Sequence, residues 1–134
     1  MKIDGACHCG NITYQAEIDP DKVRICHCTD CQTLSGTAFR TVVPTPEQDF
    51  VLLTGSPKTY IKTAESGEMR AQVFCPDCGA HIYATSVGLG AKVMGLRVGC
   101  IQQRSALTPK KQYWTRSALA WVKDLAALPG AEKQ

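Results

Sequence analysis

The chain has 134 residues, enough for one domain with a single core and too few for two ordinary domains. A formal charge of +3 is too mild to argue for nucleic acid, and 44% hydrophobic with 20% charged residues excludes wholesale disorder. No apolar run reaches the ~20 residues that a membrane span needs.

In chain order, Ile12, Tyr14, Ala16 and Ile18 recur at period two ahead of a turn at Asp19-Pro20-Asp21, which predicts a half-buried strand over 11–18. Similar alternation predicts strands over 24–27, 38–43, 50–53, 59–62, 71–75, 81–85 and 92–98. Turns rich in Gly, Pro or Ser part them at 44–46, 55–57, 66–67 and 88–90. The expected fold class is therefore mainly β. One helix is predicted near the C-terminus, where Ala118, Trp121, Val122, Leu125 and Leu128 follow helical spacing. Thr115 or Ser117 would cap it, Pro129-Gly130 would stop it, and it is expected to pack on the sheet. With no linker or low-complexity stretch, one domain over 1–128 and a tail over 129–134 are expected.

Eight cysteines are the informative count. The opening residues Met1 to Cys7 carry neither an apolar signal region nor a cleavage signal, so we expect a cytoplasmic protein with reduced thiols. Closely spaced cysteines then point to metal binding or catalysis rather than disulfides. Seven of the eight form three groups, Cys7-His8-Cys9-Gly10, Cys26-His27-Cys28-Thr29-Asp30-Cys31 and Cys75-Pro76-Asp77-Cys78-Gly79, while Cys100 stands alone. Zinc needs thiolates converging at about 2.3 Å, and a C-x-x-C knuckle folds two sulfurs to one side. Gly10 and Gly79 follow the second cysteine of their groups, where a knuckle often demands positive φ.

Ligand counting suggests how the groups are shared. Cys7, Cys9, Cys75 and Cys78 would close a tetrahedral site, which is structural, whereas Cys26, Cys28 and Cys31 supply the three ligands of a catalytic zinc. Spacing alone also admits Cys26 and Cys28 with Cys75 and Cys78, which would strand Cys31 and leave Cys7 and Cys9 a lone pair. An all-thiolate open zinc polarises water weakly and suits a soft fourth ligand, so a small thiol held as thiolate is the expected substrate.

The pattern Gly5-x-Cys7-His8-Cys9-Gly10, then Cys26-His27-Cys28-x-x-Cys31 with Gly36 after it, then Phe74-Cys75-x-x-Cys78-Gly79, resembles the glutathione-dependent formaldehyde-activating enzyme and centromere protein V family. The resemblance runs from about residue 2 to Trp121 and includes Pro109 and Tyr113-Trp114. It implies an Mss4-like β-tent of antiparallel sheets and two Zn²⁺ per chain. The structural zinc would sit on Cys7, Cys9, Cys75 and Cys78, and the catalytic zinc on Cys26, Cys28 and Cys31. The implied reaction is that of a carbon–sulfur lyase, joining formaldehyde to glutathione as S-(hydroxymethyl)glutathione. Two positions depart from the family's habit: Gln32 stands where many members carry Arg, and Gln112 where they often carry His.

In an extended C-x-C segment the middle side chain points away from its neighbours' metal, so neither His8 nor His27 is expected to ligate. His27, beside the open site, is the catalytic candidate for proton transfer. Arg40, Arg97, Lys110 and Lys111 are candidate partners for the two carboxylates of glutathione. Asp30 reads as a turn former, His81 as structural, and Ser35-Gly36 as a loop beside the open metal. Trp114 and Trp121 read as core, and Cys100 as a small buried apolar residue. Two competing readings are a non-catalytic zinc module for a protein or nucleic-acid partner, and a redox or zinc-handling protein. Scattered rather than clustered basic residues weigh against nucleic acid.

Overall fold

The computed structural model describes residues 1–133, with ten strands in two sheets. The smaller sheet has the order β1 (Lys2–Ala6), β2 (Thr13–Glu17), β5 (Phe50–Thr54), all antiparallel. The larger runs β10 (Lys111–Tyr113), β3 (Arg24–Cys26), β4 (Arg40–Pro46), β9 (Val93–Arg97), β8 (His81–Ser86), β7 (Met69–Phe74), β6 (Lys58–Thr63). Only its β10–β3 pair is parallel. The mainly β class is thus observed, with two strands, β1 and β10, beyond those the sequence predicts. No helix among the described residues is long and apolar enough to cross a membrane.

Alternation sets the core. Ile12, Tyr14, Ala16 and Ile18 are 1%, 1%, 4% and 5% exposed. They pack with Ile3 from β1 against Val43 of β4, Met94 and Leu96 of β9, and Ile82 of β8. The core therefore lies between the sheets, and the opposite face of the large sheet is free to carry chemistry. Gly5 faces Tyr14 across the β1–β2 ladder, and a Cβ on it would lie 2.0 Å from Tyr14 Cζ. The Tyr14 ring is itself fixed 5.2 Å from that of Phe50. Gly5→Ala is accordingly expected to cost about 3 kcal/mol by overpacking. Urea unfolding should show a lowered midpoint at unchanged slope.

Two helical segments differ from expectation. The central knuckle continues as α1 (Thr29–Ser35), with Cys28 Sγ accepting from the Cys31 backbone N–H and Gly36 closing the helix at φ 68°. None of its residues is buried, so no apolar periodicity announces it. The C-terminal helix exists over Ala120–Ala127, but it is a 3₁₀ helix with no buried residue and no side-chain cap. Its threefold repeat eclipses Leu119, Val122, Leu125 and Leu128 in one row instead of spreading them over an α-helical face. The predicted packing on the sheet and the core placement of Trp121, which is 49% exposed, are therefore corrected. Of the predicted tail, residue 134 lies outside the described residues.

Candidate metal centres and the adjoining cavity

The seven clustered cysteines converge as two separate sets, Cys7, Cys9, Cys75, Cys78 and Cys26, Cys28, Cys31, with the ligand atoms of each set mutually within 4.8 Å. The alternative combination, Cys26 and Cys28 with Cys75 and Cys78, is not one of the convergent sets among the described residues. Four sulfurs about 2.3 Å from a tetrahedral ion stand about 3.8 Å apart. The separations of 3.5 Å for Cys7–Cys9 and 3.7 Å for Cys9–Cys75 fit that geometry.

The four-cysteine set joins two knuckles. The first turns at Gly10, φ 82°, beneath the β1–β2 hairpin, and the second at Gly79, φ 74°, between β7 and β8. Both glycines adopt the left-handed backbone that their place in the sequence predicts. Cys7 and Cys75 are buried in the core between the sheets, Cys9 is exposed, and Asn11 Nδ2 donates to Asp77 Oδ2 at 2.9 Å as a further tie. A backbone hydrogen bond from Ala80 draws the Cys78 thiol down to about 6, toward the thiolate a metal requires.

The three-cysteine set is built by β3 and α1. Cys26 ends the strand, Cys28 caps the helix and Cys31 sits in its first turn. Hydrogen bonding between the two thiols draws Cys26 down and correspondingly pushes Cys31 up. Cys26 and Cys31 open into a cavity of about 300 Å³ on the outer face of the large sheet. Period-two side chains floor it: Arg24 with Cys26, Arg40 with Val42, Gly95 with Arg97, and Arg70 with Gln72. In the β3–β4 register Arg40 stands opposite Cys26, and Val42 is in turn opposite Arg97. Ala84 and Gly95, paired across β8 and β9, keep the middle of the floor shallow.

Other predicted site residues fall as follows. His27 is 1% exposed, donates its backbone N–H to Tyr113 O, places Nε2 2.7 Å from Gln112 Oε1, and meets the Phe39 ring edge-on. It is not among the cavity's lining residues. Arg40 and Arg97 do line the cavity; Lys110 instead lies 3.9 Å from Asp21, and Lys111 stands over the Tyr113 ring. Sequence reasoning missed Arg24, Lys62, Arg70 and Gln72, whose only signal is their shared strand parity. Trp114, read as core, is 41% exposed, walls the cavity at φ 57°, and lies 4.8 Å beneath Arg116. Gln32 donates to His27 O and Ser117 O, pinning the segment after Trp114 to α1. Cys100 is half-buried, its thiol donating to His81 O at 3.1 Å.

Two sheets carrying a closed set of four cysteines and an open set of three define a β protein able to hold metal ions by thiolates alone. The sequence model of the glutathione-dependent formaldehyde-activating enzyme family matches residues 2–117, and the chain belongs to that family. None of the functionally curated proteins matches it. A solved structure of a Rhodobacter sphaeroides protein, a structural-genomics target, is 17% identical with a TM-score of 0.61. The match covers 81% of this chain and 98% of that one, and shows a shared fold.

Proposed function

We propose that the protein is a zinc-dependent carbon–sulfur lyase-type enzyme that joins an aldehyde, formaldehyde in the family's named reaction, to glutathione or a related small thiol. The observation that carries this is the open set Cys26, Cys28 and Cys31 at the edge of a cavity lined by five cationic side chains and no carboxylate. Cys7, Cys9, Cys75 and Cys78 would hold the structural zinc. Cys26, Cys28 and Cys31 would hold the catalytic zinc, whose soft character supplies a site that keeps an incoming thiol ionised near pH 7. In the reaction the thiol loses its proton, its sulfur bonds to the carbonyl carbon, and a proton ends on the former carbonyl oxygen. The chain's part is to position: the cavity floor receives the rest of the thiol, and Trp114 and Tyr113 wall the opening.

Native mass spectrometry of the zinc-loaded protein tests this reading. Two metal ions and a retained glutathione are expected. No association at millimolar glutathione, with no turnover of the adduct, would reject it. Gly95→Val is the companion variant, since a Cβ there meets nothing closer than Ala84 O at 3.6 Å while its methyls would fill the cavity floor. It should lose glutathione association and keep both metals.

We assign His27 a positioning role in place of the proton transfer suggested by its neighbours in sequence. Its ring bonds to Gln112, and its main chain spaces Cys26 from Cys28. His27→Gln should destabilise the fold by about 2 kcal/mol through disturbed packing. The pH dependence of the rate should be unchanged in this variant; an altered pH dependence would restore the proton-transfer role.

A further inference from the structure

Two hollows flank the three-cysteine set. The cavity of about 300 Å³ takes Cys26 and Cys31, a second of about 520 Å³ takes Cys28 with Thr29 and Asp30, and only Lys62 and Trp114 line both. Since the three sulfurs lie within 4.8 Å of one another, the wall between the hollows runs across the sulfur set itself. Strand register explains how Lys62 comes to stand in that wall. It lies opposite Arg70 in the β6–β7 ladder, as Tyr60 lies opposite Gln72, so period two turns it to the face that carries the arginines.

Like charges directly opposite each other are destabilising, and Asp30 of α1 offsets this one by accepting from Lys62 Nζ. The pair is unevenly covered, the lysine side chain being 17% exposed and the carboxylate 48%. A partly exposed ion pair adds little to stability, which leaves the covering of its cation to be explained by the site. An ammonium group carries three donors, and the bond to Asp30 is the one hydrogen bond Lys62 makes among the described residues, so two N–H groups remain at the wall. With its charge balanced by Asp30, Lys62 adds little to the field that holds an anion before reaction. Its free donors gain value where negative charge develops on a neutral group during reaction, and a carbonyl oxygen under attack by sulfur is such a group.

We propose that the second hollow admits the aldehyde and that Lys62 is a catalytic residue, donating to the carbonyl oxygen as the carbon–sulfur bond forms. This assignment rests on the reading of Cys26, Cys28 and Cys31 as the thiol-receiving centre and names the group that meets the other reactant. The thiol gives its proton to solvent, a sulfur lone pair forms the bond to carbon, and the C=O π pair moves to oxygen. There the ammonium stabilises the charge until the oxygen takes a proton from water, and Lys62 ends as it began. The aldehyde arrives on the Cys28 side while the rest of the thiol lies on the Cys26 and Cys31 side, so the two reactants do not compete for one entrance.

Exchange NMR of glutathione and formaldehyde with the zinc-loaded protein, which reads how fast the adduct forms and breaks, tests this. Lys62→Met should lower the catalysed rate about 100-fold, the usual loss for one preorganised donor, while metal content and glutathione affinity hold. Asp30→Asn leaves the ammonium in place and should stay within about 5-fold of the parent, the share of a partly exposed ion pair. Ala64 lines the second hollow and makes only main-chain hydrogen bonds, so Ala64→Trp should fill the hollow and raise the aldehyde KM at least about 10-fold at unchanged kcat. Formamide, an unreactive carbonyl of nearly formaldehyde's size, should show saturation transfer from the parent and from neither Ala64→Trp nor Lys62→Met. Equal losses in Lys62→Met and Asp30→Asn would make the lysine a positioning residue and overturn the proposal. A parent-like rate in Lys62→Met would overturn it too, as would formamide contact that survives Ala64→Trp. No formamide contact in the parent would do the same whether or not the variants fold. If the parent binds glutathione and speeds exchange while Lys62→Met matches it, only the proposal falls; if the parent does neither, the thiol-receiving reading falls with it.

Discussion

Replacing Cys75 with serine is expected to remove one metal ion and abolish the cooperative thermal transition at 37 °C. Cys75 is fully buried and belongs to the core between the sheets, yet its sulfur also lies 3.7 Å from that of Cys9, 66 residues earlier. The knuckles it joins hold few other ties to each other, chiefly the exposed Asn11–Asp77 hydrogen bond. Such a bond contributes on the order of 1 kcal/mol. Structural zinc contributes about 10–16 kcal/mol in small zinc domains, against a total stability of about 5–15 kcal/mol for an ordinary domain. Losing one of four ligands therefore removes an amount comparable with the whole margin. Circular dichroism melts with metal analysis would check this, and a strong chelator should reproduce the effect in the parent protein. A Cys75→Ser protein that melts within a few degrees of the parent would show that the four-cysteine set does not hold the fold together.

What could be read before the structure, and what could not, divides along the range of the interactions involved. The strand at Ile12, Tyr14, Ala16 and Ile18 was legible because alternation is local and each of its apolar side chains meets the same core. The sharing of cysteines between two sets was legible by ligand number. The helix α1 was not, because its seven residues bury nothing; its only marks are the caps, Cys28 and Gly36, and both fit a metal knuckle or loop equally well. The C-terminal segment misled for the opposite reason. Its apolar residues satisfy helical spacing, yet the chain there winds at three residues per turn and lies on the outside. The arginine floor needed long-range information: Arg40 and Arg97 are 57 positions apart, and only the β4–β9 register, with β7 bringing Gln72, puts them on one acceptor. Lys111, on the edge strand β10, and Lys110 just before it are equally basic but turn elsewhere, to the Tyr113 ring and to Asp21.

Cys31→Ser is the counterpart of Cys75→Ser and is expected to do the reverse, leaving the fold and removing the chemistry. Cys31 lies in the first turn of α1, which buries no side chain, and its backbone N–H, not its sulfur, makes the capping bond to Cys28. Serine preserves that bond and the helix start, so the melting temperature should move by only a few degrees. Metal content should fall from two ions to one, since a site of three thiolates that loses one keeps too few soft donors. Even altering a residue behind a metal ligand commonly weakens binding about 10–100-fold, so losing a ligand itself should cost about 100-fold or more in metal affinity and in thiol capture. The same exchange of sulfur for oxygen thus separates the two sets: one loss is read in the melt and the other in glutathione binding. Should Cys31→Ser unfold the protein as Cys75→Ser does, both sets would be structural, and the enzymatic reading of the open set would fall with that result.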